Sequence, residues 1–538
     1  MRRRVVESDI CIIGSGISAA MAAEKITGER NASIVVLEAG KEAALFRNRS
    51  HLRRRYLAYG ENPWPEDHIE GLTAEGIQSR SMQVGGLAMH WGGVTPRFSP
   101  EDFRVKSLYG VGDDWPIDYE DLDPSYQEAE ERLGVAGEQG PEPLDPRNRP
   151  FPLPPIPLSY NLKELQRWTD ECSISTWSQP SAKHSRPYNG RAECCRNDTC
   201  FPICPTGAKY SPDFTWDALV STGRIDLHTE TVASRIVTSG SSNRIEKVLA
   251  FHRDDPSTQI EFRARTFVVA AGYVWSSHLL LLSAGQGYPN GLANSSGLVG
   301  KFITGHRNVS AYIDLPLQIY PGMNSSHSLV SKQFMRTEFG PKDQYIRHDL
   351  RVWESSVGKG PRLSDDDGNL LFGNDLLADW RRRAEGGTAR VRSYYDVLPH
   401  RESSISLDGS SRTPWGDPLP RIRFRDSSTS EELRESTEET IRNLFRSMAQ
   451  TGNGRIISMS ASDFQDHPAG GCRMGADPSS SVVDSYGRTH DHENLFVIGA
   501  PTCVTGGCAN GTLTFVALAL RAASQIGSDF SVRDAGQQ

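Results

Sequence analysis

Three stretches of this chain carry residue types at spacings that imply chemistry. The first is Gly14-Ser15-Gly16-Ile17-Ser18-Ala19, with an acid, Glu38, about 20 residues further on. A Gly-x-Gly-x-x-Ala run that leaves a strand and opens a helix lets a pyrophosphate approach the backbone. Unpaired N–H groups and the helix dipole then favour the anion, and the acid is placed to accept from a ribose hydroxyl. The second is Cys194, Cys195, Cys200 and Cys204, four thiols within eleven residues that also hold Pro202. Such a cluster suits a soft metal or an iron–sulfur centre. A Cys200–Cys204 disulfide, free thiols and a zinc site remain open as well, although no His lies within the cluster to complete a common zinc set. The third is Gly85-Gly86-Leu87-Ala88-Met89-His90-Trp91-Gly92-Gly93. Paired glycines let backbone lie against a flat ligand, and His90 reads equally as a structural histidine or a cofactor contact. Taken alone, His467 before Pro468 reads as a turn residue, and Asn510 as the cap of a helix that starts at Gly511.

The elements that must position these residues follow from patterning. A strand over 9–13, an Ala-rich helix to about residue 26 and a strand over 34–37 make one βαβ unit. Residues 41–79 are Arg-rich and irregular and read as loops over a ligand. A helix is expected over 121–133, followed by a Pro-rich extended connection over 140–157. Strands are expected at 225–228, 231–238, 245–252 and 260–271, the last ending in the small residues Ala270-Ala271-Gly272, with a Leu-rich helix over 276–283. From 301 to 452 the pattern weakens. Short strands at 309–313 and 421–424 and a helix over 428–449, capped by Ser428 or Ser430, stand out. Residues 358–392 read as exposed loop. A buried strand over 494–498 stops at Gly499-Ala500, and Asn510-Gly511-Thr512-Leu513-Thr514 opens a small-residue helix that ends near residue 523.

Composition narrows the classes. At 538 residues the chain exceeds what one compact core supports, so two or more domains are expected. The net charge of −8 gives no electrostatic reason to expect nucleic acid or an anionic membrane surface. No apolar run approaches the ~20 residues of a transmembrane span. Met1-Arg2-Arg3-Arg4 leads straight into the first strand with no apolar export segment, so a cytoplasmic protein is expected. The alternative is a periplasmic one exported with a signal-bearing companion. Cys11, Cys503 and Cys508 are assigned no role.

Together these blocks resemble the glucose–methanol–choline family of FAD oxidoreductases. Within it the likeness is to the sugar-oxidising branch, which includes pyranose 2-oxidase, glucoside 3-dehydrogenase and the FAD-dependent glucose, fructose and gluconate dehydrogenases. The resemblance runs through the Gly14 cradle, 85–97, Val232 and its strands, 270–283 and 467–523. It implies an α/β fold with a Rossmann-type FAD-binding domain built from discontinuous segments, 1–105, 206–308 and 462–538. An α+β substrate-binding domain with an antiparallel sheet would comprise 106–205 and 309–461, with the Cys-rich segment 194–209. FAD contacts are implied at Gly14, Ser15, Gly16, Glu38, Gly85, Gly86, His90, Trp91, Val232, Ala271, Gly499, Ala500, Asn510 and Thr512. In pyranose 2-oxidase the His matching His90 follows a Thr and carries the flavin covalently. Met89 stands in that place here, so FAD is expected to be non-covalent.

The same resemblance makes His467 and Asn510 the pair facing the flavin. An imidazole of ordinary pKa, about 6.5, can take the hydroxyl proton of an alcohol as its hydride leaves, and Asn510 can hold the same oxygen. The cysteines resemble the Cys-Cys-x4-Cys-x3-Cys-Pro motif of the heterotrimeric sugar dehydrogenases, with Arg196 replacing a small residue. Three such cysteines there hold a [3Fe–4S] cluster that passes electrons from flavin to a cytochrome. Metal ligands among Cys194, Cys195, Cys200 and Cys204, a small companion subunit and a cytochrome acceptor are therefore implied. The expected activity is oxidation of a secondary hydroxyl of a sugar or glycoside to the ketone. An O₂-using oxidase with structural cysteines and a non-redox flavin lyase are the rivals.

Overall fold

The computed structural model describes residues 4–42, 48–61, 63, 81–196, 200–239, 243–320, 327–336, 344–355, 363–365 and 368–535. Among the described residues the strands form two sheets. The first joins β1 (Arg4–Ile13), β2 (Ile34–Leu37), β4 (Ile225–His228), β5 (Thr231–Thr238), β6 (Ile245–His252), β7 (Asp255–Val269) and β15 (Leu495–Val497). Strands β4, β2, β1 and β7 lie side by side and parallel, and β15 pairs in parallel with the end of β7. Ile10, Cys11, Ile12 and Ile13 are all buried, as a central parallel strand covered on both faces requires. The beginning of β7 instead forms an antiparallel meander with β6 and β5. One long strand thus joins a nucleotide-binding sheet to a meander. The helices Ile17–Glu29 and Thr512–Ala535 pack against one side of it. Their facing alanines, Ala19, Ala20 and Ala23 against Ala519, Ala522 and Ala523, belong to one buried cluster.

The second sheet is antiparallel and holds β3 (Trp177–Ser178), β8 (Lys301–Leu315), β9 (Leu329–Ser331), β10 (Leu350–Glu354), β11 (Gly387–Val397), β12 (Ser404–Arg412), β13 (Pro418–Arg423) and β14 (Arg455–Gly471). Strand alternation splits it into two faces. Val309, Ala311, Ile313, Val352, Ala389 and Val391 pack with Leu165 and Trp168 of the helix Tyr160–Glu171 and with Ile441, Phe445 and Met448 of the helix Ser428–Thr451. The residues between them form the other face, which looks into the cavity described below.

Several expectations need correction. The expected domain edges at 308 and 462 fall inside β8 and β14, both of them strands of the second sheet, which therefore carries His467. Within 41–79, read as loop, the helix Arg49–Tyr59 stands; residues 43–47, 62 and 64–80 lie outside the described residues. Within 358–392, also read as loop, lie the helix Gly373–Glu385 and the first half of β11, although 358–362, 366 and 367 are outside the description. The helix at 428 is capped one residue early, Ser427 Oγ accepting from Ser430 N at 3.1 Å. Among the described residues no helix is long and apolar enough to cross a membrane.

Candidate active site

A cavity of about 850 Å³ runs between the two sheets. One end is the Gly14 turn. Gly14 has φ +98°, and a Cβ there would lie 2.7 Å from the carbonyl oxygen of Ala270, so only glycine lets β1 and β7 close together. Gly16 is the opposite case: a Cβ on it would meet nothing within 4 Å, because the turn is bare toward the cavity. The first amide of the following helix to bond within it is Ala20 N, to Gly16 O at 3.0 Å, which leaves the preceding amides for an anion. Glu38 is buried beside this turn and lines the cavity, accepting from Ser15 N (3.1 Å), Ser15 Oγ (2.5 Å) and Gly40 N (2.8 Å). Burial pushes its carboxyl up, against the opposing pull of those donors.

The same cavity is lined by Ser15, Gly86, His90, Trp91, Val232, Ala271, Ala500 and Thr512. Gly85 and Gly499 stand behind the lining. Gly85 N donates to Ser15 Oγ at 3.1 Å, and a Cβ on Gly499 would collide with Ser18 Oγ. His90 sits 2.9 Å from Gln83 Nε2, and Trp91 Nε1 donates to Tyr210 O at 2.8 Å.

His467 and Asn510 meet at the other end. Asn510 Nδ2 lies 2.8 Å from His467 Nε2. An amide nitrogen only donates, so Nε2 is the acceptor and the ring proton sits on Nδ1. That Nδ1 donates to His306 Nε2, 2.8 Å away on β8. Asn510 Oδ1 is buried without a hydrogen-bond partner. His467 holds φ +49°, a left-handed conformation that costs a residue other than glycine about 1–3 kcal/mol. Burial, with the Arg351 and Arg392 guanidiniums, pushes its imidazole down to about 3. The ordinary value of about 6.5 expected from sequence is therefore corrected: this ring is neutral at every ordinary pH.

Sequence reasoning missed the groups around this pair. His306 is fully buried, and its ring centroid lies 4.4 Å from that of Tyr394, which in turn stands edge-on to His467 at 6.0 Å. Arg351, Trp353, Arg390, Arg392 and Tyr394 line the cavity from β10 and β11. Only the alternation of Arg390, Arg392 and Tyr394 with buried Val391 and Ser393 could have signalled a strand there.

Two family models, both described as GMC oxidoreductase, match the chain, one over residues 163–306 and the other over 399–519, which contains His467 and Asn510. The chain belongs to the GMC oxidoreductase family. This GMC oxidoreductase is 29% identical over 557 residues to the fructose dehydrogenase large subunit of Gluconobacter japonicus, covering 98% of this chain and 99% of that one. It is 27% identical to the 2-methyl-1,2-propanediol dehydrogenase of Mycolicibacterium austroafricanum, covering 98% and 96%. The solved structure of pyridoxine 4-oxidase from Mesorbium loti shares the fold, with a TM-score of 0.62 at 17% identity over 96% of this chain and 98% of that one. Members of the family bind FAD, and the residues present fit it. The bare Gly16 turn with its unpaired amides suits the pyrophosphate, Glu38 suits the ribose, and Ala271, Ala500 and Gly86 leave room for flat rings.

The four cysteines do not fit a cluster as arranged. Cys195 is exposed, Cys194 half-buried, and Cys200 and Cys204 buried. Cys204 Sγ lies 3.6 Å from Thr206 Oγ1. Burial raises this thiol, but the amide of Lys209, the Thr206 hydroxyl and the Lys209 ammonium outweigh it and leave the thiol lowered. Lys209 Nζ donates to the carbonyls of Trp91 (2.6 Å) and Cys200 (3.0 Å), which ties the loop to the cavity wall. Among the described residues no three His, Cys, Asp or Glu side chains converge to hold a metal.

Proposed function

We propose that this GMC oxidoreductase oxidises a secondary hydroxyl of a sugar or glycoside to the ketone. The observation that carries the reading is the His467–Asn510 contact at the wall of a cavity that begins at a dinucleotide cradle. The similarity to fructose dehydrogenase along nearly the whole of both chains supports a sugar as donor. FAD, when bound, supplies the acceptor for the hydride. The chain's own residues orient the carbinol and take its proton. Asn510 holds the hydroxyl oxygen, and the neutral Nε2 of His467 accepts the proton. A weakly basic imidazole suffices because the hydroxyl becomes strongly acidic only as its carbon gives up the hydride. His306 keeps Nδ1 occupied, so Nε2 stays the accepting atom. Among the described residues the thiols of 194–204 form no metal-holding group.

The test is anaerobic mixing of the flavoprotein with a panel of sugars and glycosides, with loss of flavin absorbance as readout. A donor should bleach the wild type, and His467→Ala should slow bleaching by a factor of about 10²–10⁴ at unchanged flavin content. Undiminished bleaching in that variant, or a panel without a donor, would overturn the reading. Peroxide release against dye reduction then separates oxidase from dehydrogenase, and iron analysis tests for a cluster.

A further inference from the structure

The cavity face of the second sheet carries more positive charge than the protein neutralises. Arg351 on β10 and Arg392 on β11 are direct cross-strand partners, and Arg390 sits opposite Trp353 in the same register. Like charges facing each other across a strand pair destabilise a sheet. Of the three carboxylates nearby, one answers a cation of this face and two are engaged elsewhere. Asp349 pairs with Arg351 at 2.9 Å, Glu354 accepts from Asn161 Nδ2 at 2.6 Å, and Asp417 pairs with Arg235 at 3.1 Å. Among the described residues neither Arg390 nor Arg392 has an ion-pair partner; both stack on Trp353, at 5.4 and 5.0 Å. Arg351 is 1% exposed, yet its Nη2 is buried without a hydrogen-bond partner, as are Nε of Arg390 and Nε of Arg392. Buried guanidinium N–H groups left unpaired are costly, and a planar anion satisfies two at a time.

The cations also stand at a useful distance from the base. The guanidinium carbons of Arg351 and Arg392 lie 5.0 and 4.3 Å from the Tyr394 ring centroid, and that ring lies 6.0 Å from His467. One aromatic ring separates the charge from the proton acceptor. We propose that the donor carries an anionic group, a carboxylate or a phosphate ester, that docks on Arg351, Arg390 and Arg392 while its carbinol faces His467. This rests on the reading of the site as a polyol-oxidising one and narrows the donor to sugar acids or sugar phosphates. An anion seated there also offsets the positive field on His467, so the imidazole becomes more basic when the donor is bound.

The experiment is anaerobic flavin reduction of the holoenzyme by gluconate, glucuronate, glucose 6-phosphate and neutral glucose and fructose, in wild type, Arg392→Gln and Arg390→Gln. An anionic donor is expected to outperform the neutral sugars by at least about tenfold in kcat/KM. Carboxylates against glucose 6-phosphate separate the two sources of charge. Arg392→Gln should slow the anionic donors more than the neutral sugars, so that the preference is lost. Arg390→Gln serves if the first variant fails to retain flavin. As a readout apart from turnover, succinate, which has no hydroxyl, should perturb the oxidised flavin spectrum in wild type and at least about tenfold more weakly in the variants. Neutral sugars reducing the flavin as well as acids do would overturn this inference and leave the sugar reading intact. Bleaching by none of the five would overturn both. Equal loss for charged and neutral donors in Arg392→Gln would assign that cation to the flavin and overturn the inference too.

Discussion

At the scale of single residues, the site turns on which nitrogen of His467 carries the proton. The amide of Asn510 and the ring of His306 hold its two nitrogens at 2.8 Å each, so the tautomer is set from both sides. His306→Phe keeps a buried ring but removes the acceptor for Nδ1. Its kcat should fall about tenfold to a hundredfold, with flavin content unchanged. A full kcat in that variant would show that His306 only fills space. The pH profile follows from the depressed imidazole. A base works while deprotonated, so activity is present above its pKa and lost as pH falls through it. With His467 pushed down to about 3, kcat/KM should stay level from pH 8 to pH 5. A limb near pH 6.5 that moves in a His467 variant would contradict the assignment. The pair His467 and Asn510 was expected from the family resemblance, but His306 was not legible, because it sits 161 residues from its partner with no local motif to mark it.

At the scale of elements, the cradle was readable from its own residues, whereas the antiparallel second sheet was expected from the family resemblance and not from the patterning of most of its strands. The Gly14 turn announces itself because close approach of β1 to β7 admits only glycine, and that need leaves a spacing in the chain. Strand β11 leaves no such mark. Its Arg390, Arg392 and Tyr394 alternate with buried residues just as a strand facing bulk water would, and an enclosed cavity imposes the same polarity as open solvent. The cysteines teach the reverse lesson. Four thiols close along the chain differ in burial once the loop is folded, and among the described residues they form no metal-holding group. What holds β11 in place is its other face. Phe445 is fully buried in the cluster beneath Val391 and Val352. Phe445→Ala should cost about 3–5 kcal/mol in denaturant titration. Because the cradle has separate cores, flavin should remain bound at low denaturant. Loss of flavin and of the second sheet at one shared midpoint would argue against that separation.

For the whole molecule, the cavity is a seam between two sheets whose larger cores differ, although Tyr273 and Val274 share a small cluster with Ile303, Ile405 and Ile422, and residues from both sheets line it. A ligand filling that seam stabilises both sides by mass action, by about 4 kcal/mol at a thousandfold excess over its Kd. Apoprotein prepared by removing FAD should therefore unfold at lower temperature and in two resolved calorimetric steps. The reconstituted protein should unfold in one. Identical traces for the two would mean that the seam is already closed by protein contacts alone.

The left-handed backbone at His467 has a consequence of its own. Glycine is at ease in that conformation and alanine is not, so exchanging one for the other changes durability without touching chemistry. His467→Gly and His467→Ala should be equally inert toward alcohols, yet the glycine protein should resist unfolding by about 1 kcal/mol more. Equal unfolding midpoints would mean that the imidazole occupies its post without tension. A gap in the expected direction would mean that the working enzyme gives up some robustness to aim one ring.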